Sequence, residues 1–185
     1  MMKVKLGAVI PAYPMPVALV GALVDGKPNF LTAAWFSMLC YSPPTLGVAL
    51  GHSHHTNKGI RENKVFSLCL PGEQLIAVTD HVGIVSGKNT DKSGLFELFQ
   101  GETGAPLIVQ CPLCVECELV RVEKNGPNEL YLGKIIQVHA DSEVLTEDRL
   151  DLAKIRPLLL SQPESRYYSL GAKLEKAWSV GRNYK

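Results

Sequence analysis

A chain of 185 residues, 46% hydrophobic and 20% charged, falls in the one-domain range, has enough apolar residues for a sizeable core and lacks the composition of a disordered segment. Its net charge of +1 comes from Lys and Arg scattered along the chain, which argues against a nucleic-acid or membrane partner. No run approaches the roughly 20 apolar residues that span a bilayer. The N-terminal segment lacks a leader's apolar stretch, and the five cysteines are odd in number, so a cytoplasmic protein with reduced thiols is expected.

In chain order, Val17 to Leu23 reads as an apolar strand, Val24-Asp25-Gly26-Lys27 as a hairpin turn, and Asn29 to Met38 as the returning strand. Ser42-Pro43-Pro44 breaks the chain, and Thr45 to Leu50 follows as a strand. Thr56 to Asn63 reads as a short helix with Thr56 as its N-cap. Val65 to Leu70 is a strand closed by Pro71-Gly72. The spacing of Leu75, Ile76, Val78, Thr79 and Val82 predicts a helix over Glu73 to Val82. Ser86 to Gly94 is polar and reads as a loop. Leu107 to Val109, Leu113 to Val122 and Glu129 to Leu145 read as strands, the last two joined by a turn at Asn125-Gly126-Pro127-Asn128. Thr146 is expected to cap a short helix through Leu150, and Arg166 to Lys185 is a mixed, aromatic tail. Many antiparallel strands with a few short helices predict a mainly β fold, a β-barrel formed as one domain over residues 1–185. The β-α alternation of a parallel sheet is missing.

Three segments have the chemistry to hold a flat, phosphorylated ligand. Asn29-Phe30-Leu31-Thr32-Ala33-Ala34-Trp35 sets small residues and a hydroxyl on a strand, where a planar ring can approach the backbone; it also reads as an ordinary core strand. Ser53-His54-His55-Thr56-Asn57 precedes a helix, whose N-terminal amides favour an anion; it also reads as a cap without a ligand. Gly83-Ile84-Val85-Ser86-Gly87-Lys88, ahead of Asp91-Lys92-Ser93, brackets a hydroxyl with glycines near a cation, or is a plain Gly/Ser loop.

Two further clusters are weaker. His52, His54 and His55 make a poor metal set: on a strand the first two share a face, His55 points away and no acidic ligand is near. Cys111-Pro112-Leu113-Cys114-Val115-Glu116-Cys117 repeats C-x-x-C without the fourth Cys of an iron–sulfur run. Along a strand, Cys111 and Cys117 share a face and Cys114 takes the other. Structural thiols are expected, with a redox dithiol as the alternative. G-x-G-x-x-G, G-x-x-x-x-G-K-[ST] and G-x-S-x-G are all absent.

Taken together, these segments resemble the flavin reductase-like, FMN-binding split-barrel family, and within it the flavoredoxin and ferric-reductase-type members. The resemblance runs from Pro14-Met15-Pro16-Val17 through Gly26-Lys27-Pro28-Asn29, Thr32-Ala33-Ala34-Trp35, Ser42-Pro43-Pro44, the Thr56 segment and Asp80-His81-Val82-Gly83-Ile84-Val85-Ser86-Gly87. It continues to Cys111-Pro112, Glu116-Cys117 and Trp178-Ser179-Val180-Gly181-Arg182. Order and spacing carry it rather than any single motif.

The resemblance implies a six-stranded Greek-key split barrel, a homodimer, and FMN in a groove between the subunits. It implies FMN contacts from Thr32, Ala33, Ala34, Trp35, Leu39 and Cys40, from Ser53, His54, His55 and Thr56 around the phosphate, from Gly83, Ser86, Gly87 and Lys88, and from Trp178 and Arg182 in the tail. Many relatives have Lys or Arg in the phosphate segment, where this chain has His54 and His55. If these imidazoles supply the charge, FMN affinity weakens as pH rises through about 6.5.

The implied function is electron transfer through bound FMN, with no side chain acting as general acid or base and no metal. The electron donor is open between NAD(P)H, as a transient hydride donor, and a protein redox partner. Without G-x-G-x-x-G, a nicotinamide has to dock directly on the flavin face. A split barrel that binds flavin or haem without catalysis is the alternative of another class. A pyridoxamine-phosphate-oxidase-like enzyme fits less well, because the tail lacks an Arg-rich phosphate pattern.

Overall fold

The computed structural model describes residues 1–182 and Tyr184. Asp25 and Gly26, both at positive φ (50° and 78°), form the tight turn that joins β1 (Ala18–Val24) to β2 (Lys27–Ala33), as the Asp-Gly pair predicts. Ala34 and Trp35 then lead into β3 (Phe36–Tyr41), so the single strand expected over Asn29 to Met38 is two. Next come β4 (Pro44–Gly51), α1 (Thr56–Asn63), β5 (Val65–Leu70) and α2 (Ile76–Ile84). The long pair β6 (Leu113–Asn125) and β7 (Asn128–Ala140) completes the frame.

The break at Ala34-Trp35 explains the architecture. The main sheet is antiparallel, with strand order β2-β1-β5-β6-β7-β4-β3. Its two edges, β2 and β3, are therefore consecutive in the chain. Three Cα steps reach about 11 Å, so the sheet has to curl until its edges nearly meet. At that seam Trp35 O accepts a hydrogen bond from Ala49 N at 2.8 Å. The result is a mainly β split barrel. It has seven strands where six were expected, and six if the bent β2–β3 run is counted once.

Two apolar layers sit on either side of the sheet. Inside the barrel, Ala18, Val20, Leu31, Val48, Leu50, Phe66, Leu68 and Tyr131 pack together, with Ile60 of α1 among them. Outside, Leu19, Phe30, Cys69, Val82, Phe96, Leu107 and Ile108 form a second layer under α2 and the segment that follows it. Strand β1 is buried on both faces, which is why its sequence is a continuous apolar run rather than an alternation.

Four local expectations are corrected. The N-cap of α1 is His55, with no side-chain cap bond; Thr56 is turned inward instead, its Oγ1 accepting from Asn29 Nδ2 at 2.7 Å. Helix α2 begins at Ile76, after a 3-10 turn over Glu73–Leu75. Thr146 starts no helix. Leu145–Thr146 pairs with Arg149–Leu150 around Glu147 and Asp148, both left-handed (φ 51° and 58°), and the helix follows at Leu152–Ile155 under an Asp151 cap.

The fourth correction concerns the cysteines. Cys111 lies ahead of β6, its N–H bonded to Ile108 O, so strand parity does not reach it. It joins Cys114 in the outer layer, whereas Cys117 faces the barrel interior. The C-terminal stretch Leu159–Ser161 pairs with Met15–Pro16 and with Arg166–Tyr168. Among the described residues, no helix is long and apolar enough to cross a membrane.

Candidate cofactor site

The three segments singled out in the sequence meet on one side of the barrel. A cleft of about 220 Å³ is lined by Asn29 to Thr32 of β2, Ser53 to Thr56 at the start of α1, Val82 to Gly87 at the end of α2, and Lys92. It adjoins two further hollows. One, of about 270 Å³, runs along Thr32, Ala33, Ala34 and Trp35 to His54 and Tyr167. The other, of about 320 Å³, passes His55 and Gly87 to Lys88 and Lys92. Thr32 and His54 line both the first cleft and the Ala33–Trp35 hollow. Together they make a trough that is small-residue at one end and rich in donors at the other.

Each wall follows from local chemistry. At α1, the Asn57 and Lys58 N–H groups bond back to the carbonyls of His54 and His55. Among the described residues, the His55 and Thr56 N–H groups have no such partner, and no acidic residue occupies the first turn. That leaves a helix start disposed toward an anion. In the loop after α2, Ser86 O accepts from the Asn89 and Thr90 N–H groups, while the Ser86 and Gly87 N–H groups find no partner among the described residues. A Cβ on Gly87 would lie 2.2 Å from Asn29 Oδ1, so only glycine allows this loop to close against β2. Thr32 Oγ1 donates to Thr79 O at 2.6 Å, which ties β2 to α2. Its proton is committed, leaving its oxygen only as an acceptor.

Lys92 was not singled out on its own from the sequence. It is 3% exposed, and its Nζ donates to Phe30 O at 2.9 Å and Val82 O at 2.8 Å. No carboxylate pairs with it among the described residues. Burial pushes its ammonium below the ordinary lysine range. A lysine has three N–H donors, and this one spends two on carbonyls at the floor of the cleft. Lys88, the cation expected from the sequence, is exposed on the outer hollow. Burial, and next the charge of Lys92, lower the pKa of His54. The His54 imidazole is therefore held toward its neutral form, and Lys92 is the buried cation of the cleft.

The remaining sequence candidates lie elsewhere. Leu39 packs with Trp35 and Tyr13 in a separate hollow over β3 and β4. Cys40 is exposed on the β3 edge, its thiol donating to Ser42 O. Trp178, 93% exposed, and Arg182, which donates to Trp178 O, line none of these clefts in the single chain. His52 turns away to Pro127 O at 2.8 Å. Among the described residues, no three His, Cys, Asp or Glu side chains converge as metal ligands.

The chain is similar to proteins of known structure. Over 98% of the chain it is 38% identical to the flavoredoxin of Methanosarcina acetivorans, with 98% of that chain covered and a TM-score of 0.95. It is 33% identical to the flavoredoxin of Desulfovibrio vulgaris (Miyazaki F), covering 98% of this chain and 100% of that one, with a TM-score of 0.91. An FMN-binding protein from Thermus thermophilus, solved with bound 1-cyclohex-2-enone, is 25% identical over 95% of this chain and 99% of its own, with a TM-score of 0.80. The family model for the flavin reductase-like domain matches residues 10–171. The chain belongs to the flavin reductase-like family.

Proposed function

We propose that residues 1–185 act as one domain that binds FMN in this trough and passes electrons through it, in the manner of the flavoredoxins it resembles. The observation that carries the reading is Lys92, a buried cation without a carboxylate partner at the floor of a cleft walled by unpaired amides. The small residues Ala33 and Ala34 suit a planar ring, and the start of α1 suits a phosphate. Lys92 and the Ser86 and Gly87 amides would favour negative charge on the bound group. When bound, FMN supplies the two-electron and one-electron chemistry; the chain supplies position, charge and exclusion of water. No residue in the cleft is needed as a general acid or base.

The reading extends to a homodimer. Strand β3 is an edge whose residues after Phe36 are all exposed. Met38 is 55% exposed, Leu39 53% and Tyr41 92%. An apolar edge with an unpaired hydrogen-bonding ladder is one that a second copy can cover. Trp178 and Arg182 would then meet a cofactor from across such an interface rather than within one chain.

The test is the visible spectrum of the purified protein, followed by NADH or NADPH in the same cuvette under anaerobic conditions. A flavin spectrum is expected. Bleaching on a functional timescale identifies NAD(P)H as the donor, and its absence points to a protein redox partner. A haem Soret band, or no binding of added FMN, overturns the proposal. Sedimentation velocity at micromolar concentration is expected to give a dimer.

A further inference from the structure

We infer that Cys69 and Cys114 form a reversible cross-strand disulfide, a thiol redox site apart from the cofactor trough. Cys69 of β5 stands directly opposite Cys114 of β6 in the antiparallel ladder, and Cys114 stands directly opposite His139 of β7. Residues opposite one another have Cα atoms about 4.5–5.5 Å apart, inside the range a disulfide spans. Both side chains lie on the same face of the sheet, in the outer apolar layer. The Cys114 S–H also points to Ile108 O at 3.5 Å and Cys111 O at 3.9 Å.

The site has a way in. A hollow of about 280 Å³ is lined by Phe99, Val109, Cys111, Cys114, His139 and Asp141. Cys69 lies behind Cys114 and is fully buried. Within the cross-strand pair the order of approach is therefore fixed: Cys114 lines the hollow and Cys69 does not, so Cys69 is placed to resolve the product. The neighbouring Cys69 thiol, and then burial, hold the Cys114 thiol well above the ordinary range. The hollow admits a small peroxide and not a bulky disulfide, and because the thiolate is the reacting form, the raised pKa makes oxidation slow at neutral pH and faster as pH rises.

The Cys114 sulfur attacks one peroxide oxygen, the O–O bond breaks, and one water leaves with a sulfenic acid remaining. The Cys69 sulfur then attacks the Cys114 sulfur and displaces the hydroxyl as a second water. Two thiols lose two hydrogens, and one peroxide becomes two waters.

The experiment treats the full-length protein as purified with hydrogen peroxide, alkylates it under denaturing conditions and maps the peptides by mass spectrometry. The five alkylatable thiols are expected to fall by two, with a peptide linking Cys69 to Cys114 that dithiothreitol releases. The wild-type map decides, because it requires no substitution in the core. In Cys69→Ser, where that variant folds, oxidation is expected to stop at Cys114 without a link. A link from Cys111 to Cys114, retention of all five thiols, or modification confined to the exposed Cys40 overturns the inference.

Discussion

Two buried charges, Glu116 under the Glu102–Thr103 loop and Lys92 in the cleft, are treated in opposite ways. Glu116 is 0% exposed and closed within the chain. It accepts the Glu102 and Thr103 N–H groups at 2.9 and 2.7 Å, the Thr103 hydroxyl at 2.6 Å and His139 Nε2 at 2.6 Å. Burial works to raise its pKa, but these bonds outweigh burial and hold it at about 2. Among the described residues Lys92 has only two carbonyls and no carboxylate, and burial pushes its ammonium down. A charge with every bond satisfied inside the fold is a staple. A charge left short of partners at a cleft is a place for something else to bind.

The largest effect is expected at the staple. Glu116→Ala strands two N–H groups, a hydroxyl and an imidazole, and removing one side of a buried network of this kind costs about 3–5 kcal/mol. Thermal denaturation of the variant checks it. The pH dependence follows from the lowered pKa. Folding holds the proton less tightly than the unfolded chain does, so the stabilisation is complete above the ordinary glutamate value of 4.5 and is lost as pH falls toward about 2. Its size is about 3 kcal/mol. A variant as acid-sensitive as the wild type would show that Glu116 is not what closes the 101–105 loop.

Lys92→Met is expected to act on binding rather than on the fold. Relief of a desolvated charge without a carboxylate partner offsets the loss of its two carbonyl bonds, so the stability of the ligand-free protein is expected to change by no more than about 1 kcal/mol. FMN affinity, by contrast, is expected to fall about tenfold to a hundredfold, the range of a hydrogen bond to a charged group. Because the folded pKa of Lys92 is lowered, the ligand-free protein gains stability as pH rises through that value toward the ordinary lysine range. Fluorescence titration with FMN, beside denaturation of the free protein, separates the two effects. Unchanged FMN affinity would break the comparison, because Lys92 would then be structural like Glu116.

The comparison also shows what was legible in the sequence. Glu116 lies within the strand expected over Leu113 to Val122, and one in-line residue cannot reveal that a distant loop folds over it to donate three bonds. Lys92 sat beside a motif that was singled out, yet nothing local says that its ammonium turns inward to Phe30 and Val82, which lie 62 and 10 residues away. The strand Val65 to Leu70, the Asp-Gly turn and the helix over Thr56 to Asn63 were legible because they depend on neighbours in the chain, whereas the strand expected over Glu129 to Leu145 ends at Ala140. The break at Ala34-Trp35 was not, because it is imposed by the need to serve both edges of one sheet. Cys111 misled for a similar reason: its parity with Cys117 holds only on a strand, and the chain turns at Pro112 before the strand begins.

The smallest effect is expected at His54, and it sharpens the comparison most finely. If the imidazoles supplied the phosphate charge, FMN affinity would weaken as pH rises through about 6.5. Burial and Lys92 instead lower the His54 pKa, so the ring is already neutral over most of that interval. The dissociation constant for FMN is expected to change by less than about threefold between pH 6.5 and pH 8. His54→Gln, which keeps a neutral donor and acceptor, is expected to cost less than about 1 kcal/mol of binding. Isothermal titrations of both proteins at both pH values decide it. A tenfold weakening in the wild type that vanishes in His54→Gln would mean that the ligand draws a proton onto His54. The charge of the cleft would then be shared between a titrating imidazole and Lys92, rather than fixed on the lysine alone.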